Sequence, residues 1–154
     1  MVHTDDLKED ELKVIVAGSR GYSNYDFVKA HLKLLLDTRG KFTVVSGLEK
    51  SGPDMLGVRF AEENNLKWEG HAPKWDDLEA PGAVIKTNKY DKQYNAKAGM
   101  DRNLAMAQTA SILVAFWDAK SPGTRNMIME ARRLKLEVIV FIVNVEKQSG
   151  DEEP

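Results

Sequence analysis

Four short runs of apolar, mostly β-branched residues punctuate the chain: Val14–Ala17, Thr43–Ser46, Ile112–Phe116 and Val138–Val143. They are nearly continuous rather than alternating, the pattern expected of strands covered on both faces. A weaker candidate strand covers Lys67–His71. Between these runs, apolar residues recur at helical spacing. Asp26–Asp37 puts Phe27, Leu34 and Leu35 on one face, and Asp54–Asn64 does so with Leu56, Phe60 and Ala61. Met100–Ala110 offers Met100, Leu104 and Ala107, and Thr124–Leu136 offers Met127, Ile128, Ala131 and Leu134. Strands alternating with helices predict an α/β, Rossmann-like three-layer sandwich with a mostly parallel sheet and right-handed crossovers. A doubly wound strand order of 3-2-1-4-5 is expected, with ligand beyond the carboxyl ends of the strands where the order reverses. That rule singles out the loops after Ala17 and after Phe116.

Composition narrows the function classes. The chain has 154 residues, 42% of them hydrophobic and 30% charged, and a formal net charge of −2. This is globular composition for one domain. The mild acidity argues against a nucleic-acid or membrane surface. The acidic stretch Met1–Lys13 has no apolar h-region, and no apolar run approaches a bilayer-spanning length. A cytoplasmic protein is expected, with acidic tails at 1–12 and 146–154 flanking a domain at 13–145. There is no cysteine, which excludes disulfides and thiolate metal sites. His3, His31 and His71 are scattered and make no metal pattern. His31, inside an apolar helix, reads as structural.

Three loops at predicted strand ends carry candidate chemistry. The first reads Gly18-Ser19-Arg20-Gly21-Tyr22-Ser23. Its glycines permit tight turns and close ligand approach, and Ser19 and Arg20 supply a hydroxyl and a cation. It reads equally as a turn that happens to hold glycine. It is not GxGxxG, and no acidic residue ends the second strand, so ordinary NAD binding is disfavoured and no cofactor is expected. The second loop reads Trp117-Asp118-Ala119-Lys120-Ser121-Pro122-Gly123-Thr124. Ser121 fits an N-cap and Pro122 the first helical position. Gly123 and Thr124 then fall in the first turn, where free N–H groups, the Thr hydroxyl and the helix dipole favour phosphate. The third loop, Ser46-Gly47-Leu48-Glu49-Lys50-Ser51-Gly52-Pro53-Asp54, opens a helix with Asp54 in its first turn. Asp54 reads as an ordinary helix-start carboxylate or as a ligand contact. Lys-Ser/Thr does not follow Gly52, so a P-loop is rejected.

The segment Trp75–Arg102 is the least regular. Lys86, Lys89, Lys92 and Lys97, with Tyr90 and Tyr94 interleaved, are of the type that contacts phosphate and base or single-stranded nucleic acid, but most of these lysines read as a solvated surface. Arg102 is expected to begin a helix near Gly99, where it would clamp a phosphate bidentately. Trp68, Trp75 and Trp117 read as core or rim aromatics, Trp117 bordering the expected pocket.

Gly18-Ser19-Arg20, Gly47…Gly52-x-Asp54, Ala98-Gly99-x-x-Arg102-Asn103 and Ala115-Phe116-Trp117-Asp118…Ser121-x-Gly123-Thr124 occur in that order. The ordered set resembles the YspA/YpsA-related branch of the SLOG superfamily, from about Val14 to Val143. Asp76–Gln93 contributes no motif and looks like an insertion. The resemblance implies a Rossmann-like fold that recognises nucleotides or nucleotide-derived ligands, relatives that pair into homodimers or higher homo-oligomers, and a frequent home in phage genomes. Relatives include the Lonely Guy phosphoribohydrolases and DNA-processing proteins of the DprA type. Gly123-Thr124 matches the phosphate-binding Gly-Thr of the Lonely Guy proteins, and Arg102 a substrate-binding Arg. Their catalytic Glu falls three residues after that Thr, where this chain has Met127. Glu130 lies a further turn along.

The first functional expectation is therefore a protein that binds a phosphate-bearing, nucleotide-like small molecule as a sensor, carrier or sequestering module. The ligand residues expected are Gly18, Ser19, Arg20, Gly47, Asp54, Arg102, Asn103, Trp117, Asp118, Ser121, Gly123 and Thr124. The second is an N-glycosidase acting on nucleoside monophosphates, with Asp54, Asp118 or Glu130 supplying the carboxylate. The third is single-stranded DNA binding, by analogy with DprA.

Overall fold

The computed structural model describes residues 11–145. Its elements are β1 (Leu12–Gly18), α1 (Tyr25–Arg39), β2 (Phe42–Ser46), α2 (Pro53–Glu63), β3 (Trp68–Gly70), β4 (Ile85–Thr87), β5 (Gln93–Asn95), α3 (Ala98–Thr109), β6 (Ile112–Trp117), α4 (Pro122–Arg133) and β7 (Glu137–Ile142). Strands β3-β2-β1-β6-β7 form one five-stranded sheet in which every pair is parallel. This is the doubly wound, Rossmann-like order expected from the sequence, and it reverses between β1 and β6. Strand β1 begins at Leu12, which pairs with Phe42, two residues before the apolar run Val14–Ala17. The tails otherwise lie outside the described residues, as does His3.

The continuous apolar runs have a simple cause. Alternate residues of each central strand point to opposite faces, and helices cover both. Val14, Val16, Val44, Val114 and Phe116 pack with Val28 and Leu32 of α1 and Phe60 of α2. Ile15, Ala17, Val45, Leu113 and Ala115 pack with Met106 of α3 and Met127, Ile128 and Ala131 of α4. Two helical faces differ from the expectation. Leu34 is 60% exposed and Met100 52% exposed. Helix α1 instead buries Tyr25, Val28, Leu32 and Leu35, and α3 buries Ala98, Asn103, Met106 and Ala107. Each set keeps helical spacing but sits rotated from the stripe its sequence suggests. Among the described residues no helix is long and apolar enough to cross a membrane.

The segment without motifs forms a β4–β5 antiparallel hairpin, with Ile85 opposite Asn95, between β3 and α3. Helices α2, α3 and α4 all start at the end of the sheet where β1, β2 and β6 finish. That end gathers the candidate residues.

Candidate functional site

The tips of β1 and β6 are tied together directly. The Ser19 N–H donates to the Phe116 carbonyl at 2.9 Å, and the Asp118 N–H donates to the Ser19 hydroxyl at 2.9 Å. Ser19 is fully buried. A Cβ at Gly18 would overlap the Phe116 carbonyl oxygen and lie 2.5 Å from Pro53 Cγ. Gly18 is therefore a close-packing glycine between β1, β6 and α2, not a gap left for ligand. Gly52, at φ +119°, packs against the Ser19 carbonyl and Arg20, so the first and third loops touch. Arg20 Nε also lies 3.5 Å from Glu49 Oε1 across these loops, with both side chains exposed.

Asp118 is spent on local structure. Its Oδ1 accepts the Lys120 and Ser121 N–H groups at 2.9 and 2.8 Å, and its Oδ2 accepts the Ser121 hydroxyl at 3.0 Å. Partial burial pulls its pKa upward, but these donors and the Ser19 hydroxyl outweigh that and hold the carboxyl below its ordinary range. Ser121 occupies the N-cap of α4 and Pro122 its first position, as expected, yet Ser121 makes no capping side-chain bond. Trp117 Nε1 donates to the Ser121 carbonyl at 3.1 Å, which orients the indole beside the loop.

The start of α4 is consequently open. A Cβ at Gly123 would meet nothing within 4 Å. Thr124 is 6% exposed, and its hydroxyl takes no hydrogen bond among the described residues yet is not sealed from solvent. An uncapped helix N-terminus with a free hydroxyl is a ready anion acceptor.

A second cluster joins β2, α2 and α3. Asp54 is buried, and its Oδ2 accepts the Glu49 N–H at 3.1 Å. Ser46, also buried, donates its hydroxyl to the Asp54 carbonyl at 3.0 Å and accepts the Leu48 N–H at 3.1 Å. Arg102 Nη1 donates to the Gly47 carbonyl and, at 3.5 Å, to that of His71. Its Nε donates to Asn103 Oδ1 at 3.0 Å. Asn103 Nδ2 in turn donates to the Gly123 carbonyl at 3.2 Å and to Asn126 Oδ1 at 2.9 Å. Asn103 thus couples the Arg102 cluster to the first turn of α4. Arg102 lies more than a turn inside α3, which begins at Ala98, so it is not the helix-start residue expected from the sequence. Its fork is turned toward the protein's own carbonyls.

Burial pushes the Asp54 pKa up to about 6, against the Glu49 N–H and the Arg102 charge, which lower it. A carboxyl whose folded pKa is raised favours folding at low pH, and that contribution is lost as pH rises through the folded value. The shift from 3.8 to about 6 corresponds to about 3 kcal/mol. Asp54→Asn, which keeps an oxygen for the Glu49 N–H, should match wild type near pH 4. It should become more stable than wild type by up to about 3 kcal/mol above pH ~6. Urea unfolding across that range checks it, and a constant difference would assign Asp54 no buried charge.

The remaining carboxylate candidate is elsewhere engaged. Both Glu130 oxygens accept from Arg133 at 3.1 Å, in an ion pair within α4. Met127, at the position of the Lonely Guy glutamate, is 1% exposed in the core. The sequence reading missed Glu49, His71, Asn126 and Asn95. The first two act through backbone groups, which no residue-type pattern reveals. Asn126 stands three residues after Gly123, but only its partner Asn103 gives that spacing meaning.

Two adjoining cavities lie near the candidate residues, and neither is lined by Gly18 or Thr124. A cleft of about 620 Å³ lies beside β3 and α3 and includes His71, Pro73, Asn95 and Arg102. A smaller one of about 240 Å³, lined by Gly47–Lys50, Pro73 and Trp75, adjoins it across Pro73. Of the candidate residues, Arg102 lines the first cavity and Gly47 the second.

Residues 12–77 match the YspA, cpYpsA-related SLOG family.

The matched stretch covers β1 through β3 and ends before the β4–β5 hairpin. The α3 and α4 motifs of the resemblance lie beyond it. No curated protein matches the chain. Among solved structures, DNA processing protein A (DprA) from Streptococcus pneumoniae superposes with a TM-score of 0.62 at 18% identity, over 91% of this chain and 53% of that one. The chain thus spans about half the length of that neighbour, and the likeness is one of fold.

Proposed function

We propose that this SLOG-related chain binds a nucleotide or nucleotide-derived, phosphate-bearing small molecule at the carboxyl ends of β1, β2 and β6, as a sensor, carrier or sequestering protein. The observation that carries this is the open start of α4. Gly123 leaves space above the backbone, the Thr124 hydroxyl is unengaged among the described residues, and Ser121 is diverted to Asp118 instead of capping the helix. The loop that leads into them is tied to Ser19 by the Asp118 N–H, where the strand order reverses. Gly18, Gly47, Asn103, Trp117 and Asp118 shape this end of the sheet, while Arg20 and Arg102 supply its positive charge. Isothermal titration with nucleoside mono- and diphosphates, ADP-ribose and cyclic dinucleotides tests the reading, and no heat at millimolar ligand would reject it. Thr124→Val keeps the buried shape and removes the hydroxyl. It should weaken binding of a nucleotide about three- to tenfold with little change in stability, and unaltered affinity would exclude Thr124 from the site.

One feature favours a second reading, cleavage of an N-glycosidic bond. Asp54 is a buried carboxyl that holds its proton to about pH 6, and its Oδ1 takes no hydrogen bond among the described residues. Such a group can protonate a departing base. Chromatography for free base released from nucleoside monophosphates decides between the readings. Equal background release by wild type and Asp54→Asn leaves binding alone.

A further inference from the structure

We propose that the 620 Å³ cleft beside α3 is a compartment for a flat, acceptor-bearing ring of the oxopurine or pyrimidine kind, walled by the hairpin insertion. The proposal rests on the binding reading above and adds to it the part of the ligand that is not phosphate. Its central observation is Asn95, the last residue of β5, which is 1% exposed. The Asn95 Oδ1 accepts the Val84 N–H at 3.2 Å and the Lys97 N–H at 3.0 Å. These two donors fix which way the amide points. Its Nδ2 then has no hydrogen-bond partner among the described residues, and Asn95 is part of the cleft lining. A buried amide held by two backbone donors, with its own donor unspent, is preorganised to meet an acceptor.

The rest of the cleft fits the same ligand. Arg102 lines it, and with Nη1 and Nε occupied by Gly47, His71 and Asn103, its Nη2 is a second donor without a partner among the described residues. Ala98, Ala105 and Pro73 provide shallow apolar walls that leave room for a planar group. Acidic and basic side chains balance around the lining, so the cleft selects no strong charge. Its volume lies within the range of small-molecule sites. Arg102 connects it, through Asn103 and the Gly123 carbonyl, to the open start of α4. Ring and phosphate would therefore occupy adjoining sites on either side of one turn of α3. The β4–β5 hairpin acquires a role: the end of β5, just past the insertion, delivers the amide that reads the ring.

The test is amide chemical-shift mapping of the ¹⁵N-labelled full chain with uridine, guanosine and, separately, inorganic phosphate. The nucleosides lack phosphate and should shift the backbone amides of His71, Lys74, Lys97 and Ala105 and the Asn95 side-chain amide. Inorganic phosphate should instead shift Gly123 and Thr124. Asn95→Asp keeps an oxygen for Val84 and Lys97 and exchanges the donor for an acceptor, so it should weaken nucleoside binding about tenfold. Ala105→Phe, at the half-buried rim, should do the same by filling the space. Nucleoside shifts confined to the Gly18 and Gly123 loops, no nucleoside shifts, or undiminished binding by both variants would overturn the proposal. Shifts at Gly123 and Thr124 with phosphate alone would leave the phosphate reading standing while this one falls. Nucleoside shifts in the cleft with none from phosphate would do the reverse.

Discussion

Gly18→Ala should lower the thermal unfolding midpoint by about 10 °C, from a loss of about 3 kcal/mol. A single methyl has this effect because neither neighbour can yield. The Phe116 carbonyl that a Cβ would overlap is held by the Ser19 N–H at 2.9 Å. Pro53, on the other side, is a ring at the first position of α2, with no rotamer that clears the space. Relief requires parting the tips of β1 and β6 or lifting α2, and either movement displaces Ser19 and Asp54 together. Loss of stability should thus come with loss of nucleotide binding. Gly123→Ala is the control, since nothing lies within 4 Å of its Cβ position. Its midpoint should stay within a degree or two of wild type while any phosphate binding falls. Circular dichroism melts compare the two. An unperturbed Gly18→Ala would mean that the strand tips are less tightly packed than this geometry demands.

Arg102→Ala should have the largest effect on the site itself. The guanidinium donates to the carbonyls of Gly47 and His71 and to Asn103, and its charge opposes the burial effect on Asp54. Truncation leaves the buried Gly47 carbonyl without this donor and removes the attraction that keeps the Asp54 pKa from rising further. A destabilisation of about 2–4 kcal/mol follows from the lost hydrogen bonds and charge pairing. Nucleotide affinity should fall about 10- to 100-fold, because Asn103 and the first turn of α4 lose their anchor. Arg102→Lys restores the charge but not the planar fork, so it should recover the Asp54 titration more fully than the affinity. Carboxyl ¹³C titration reads the first and calorimetry the second. If Arg102→Ala binds nucleotide like wild type, the β2–α3 cluster is scaffold and the ligand is held by the β1 and β6 loops alone.

The sequence made legible which loops come together at the strand ends. The alternation of apolar runs and helical stripes carried the strand order, and the order carried the crossover between β1 and β6. Loop glycines were visible as residue types, but their duties were not. Gly18 closes a contact among three elements, Gly52 lets two loops touch, and Gly123 alone faces open space. All three look alike in sequence, because a missing side chain carries no record of what stands opposite. Asp118 and Asp54 show the same limit for carboxylates. One is saturated by donors within three residues of itself, and the other keeps an oxygen without a partner inside a cluster drawn from β2, α2 and α3.

By itself, then, the sequence determined the parallel five-stranded sheet, its crossover, the helix starts near Asp54 and at Pro122, and the set of loops that meet there. These follow from local periodicity and turn chemistry, which neighbouring residues specify. Tertiary structure alone decided that Arg102 faces the protein's own carbonyls, that Met127 belongs to the core, and that Asn95 ends buried at the edge of a cleft it shares with Arg102. Each of those outcomes depends on partners far away in the chain, and hydrogen bonds and burial between distant segments leave no periodic signal.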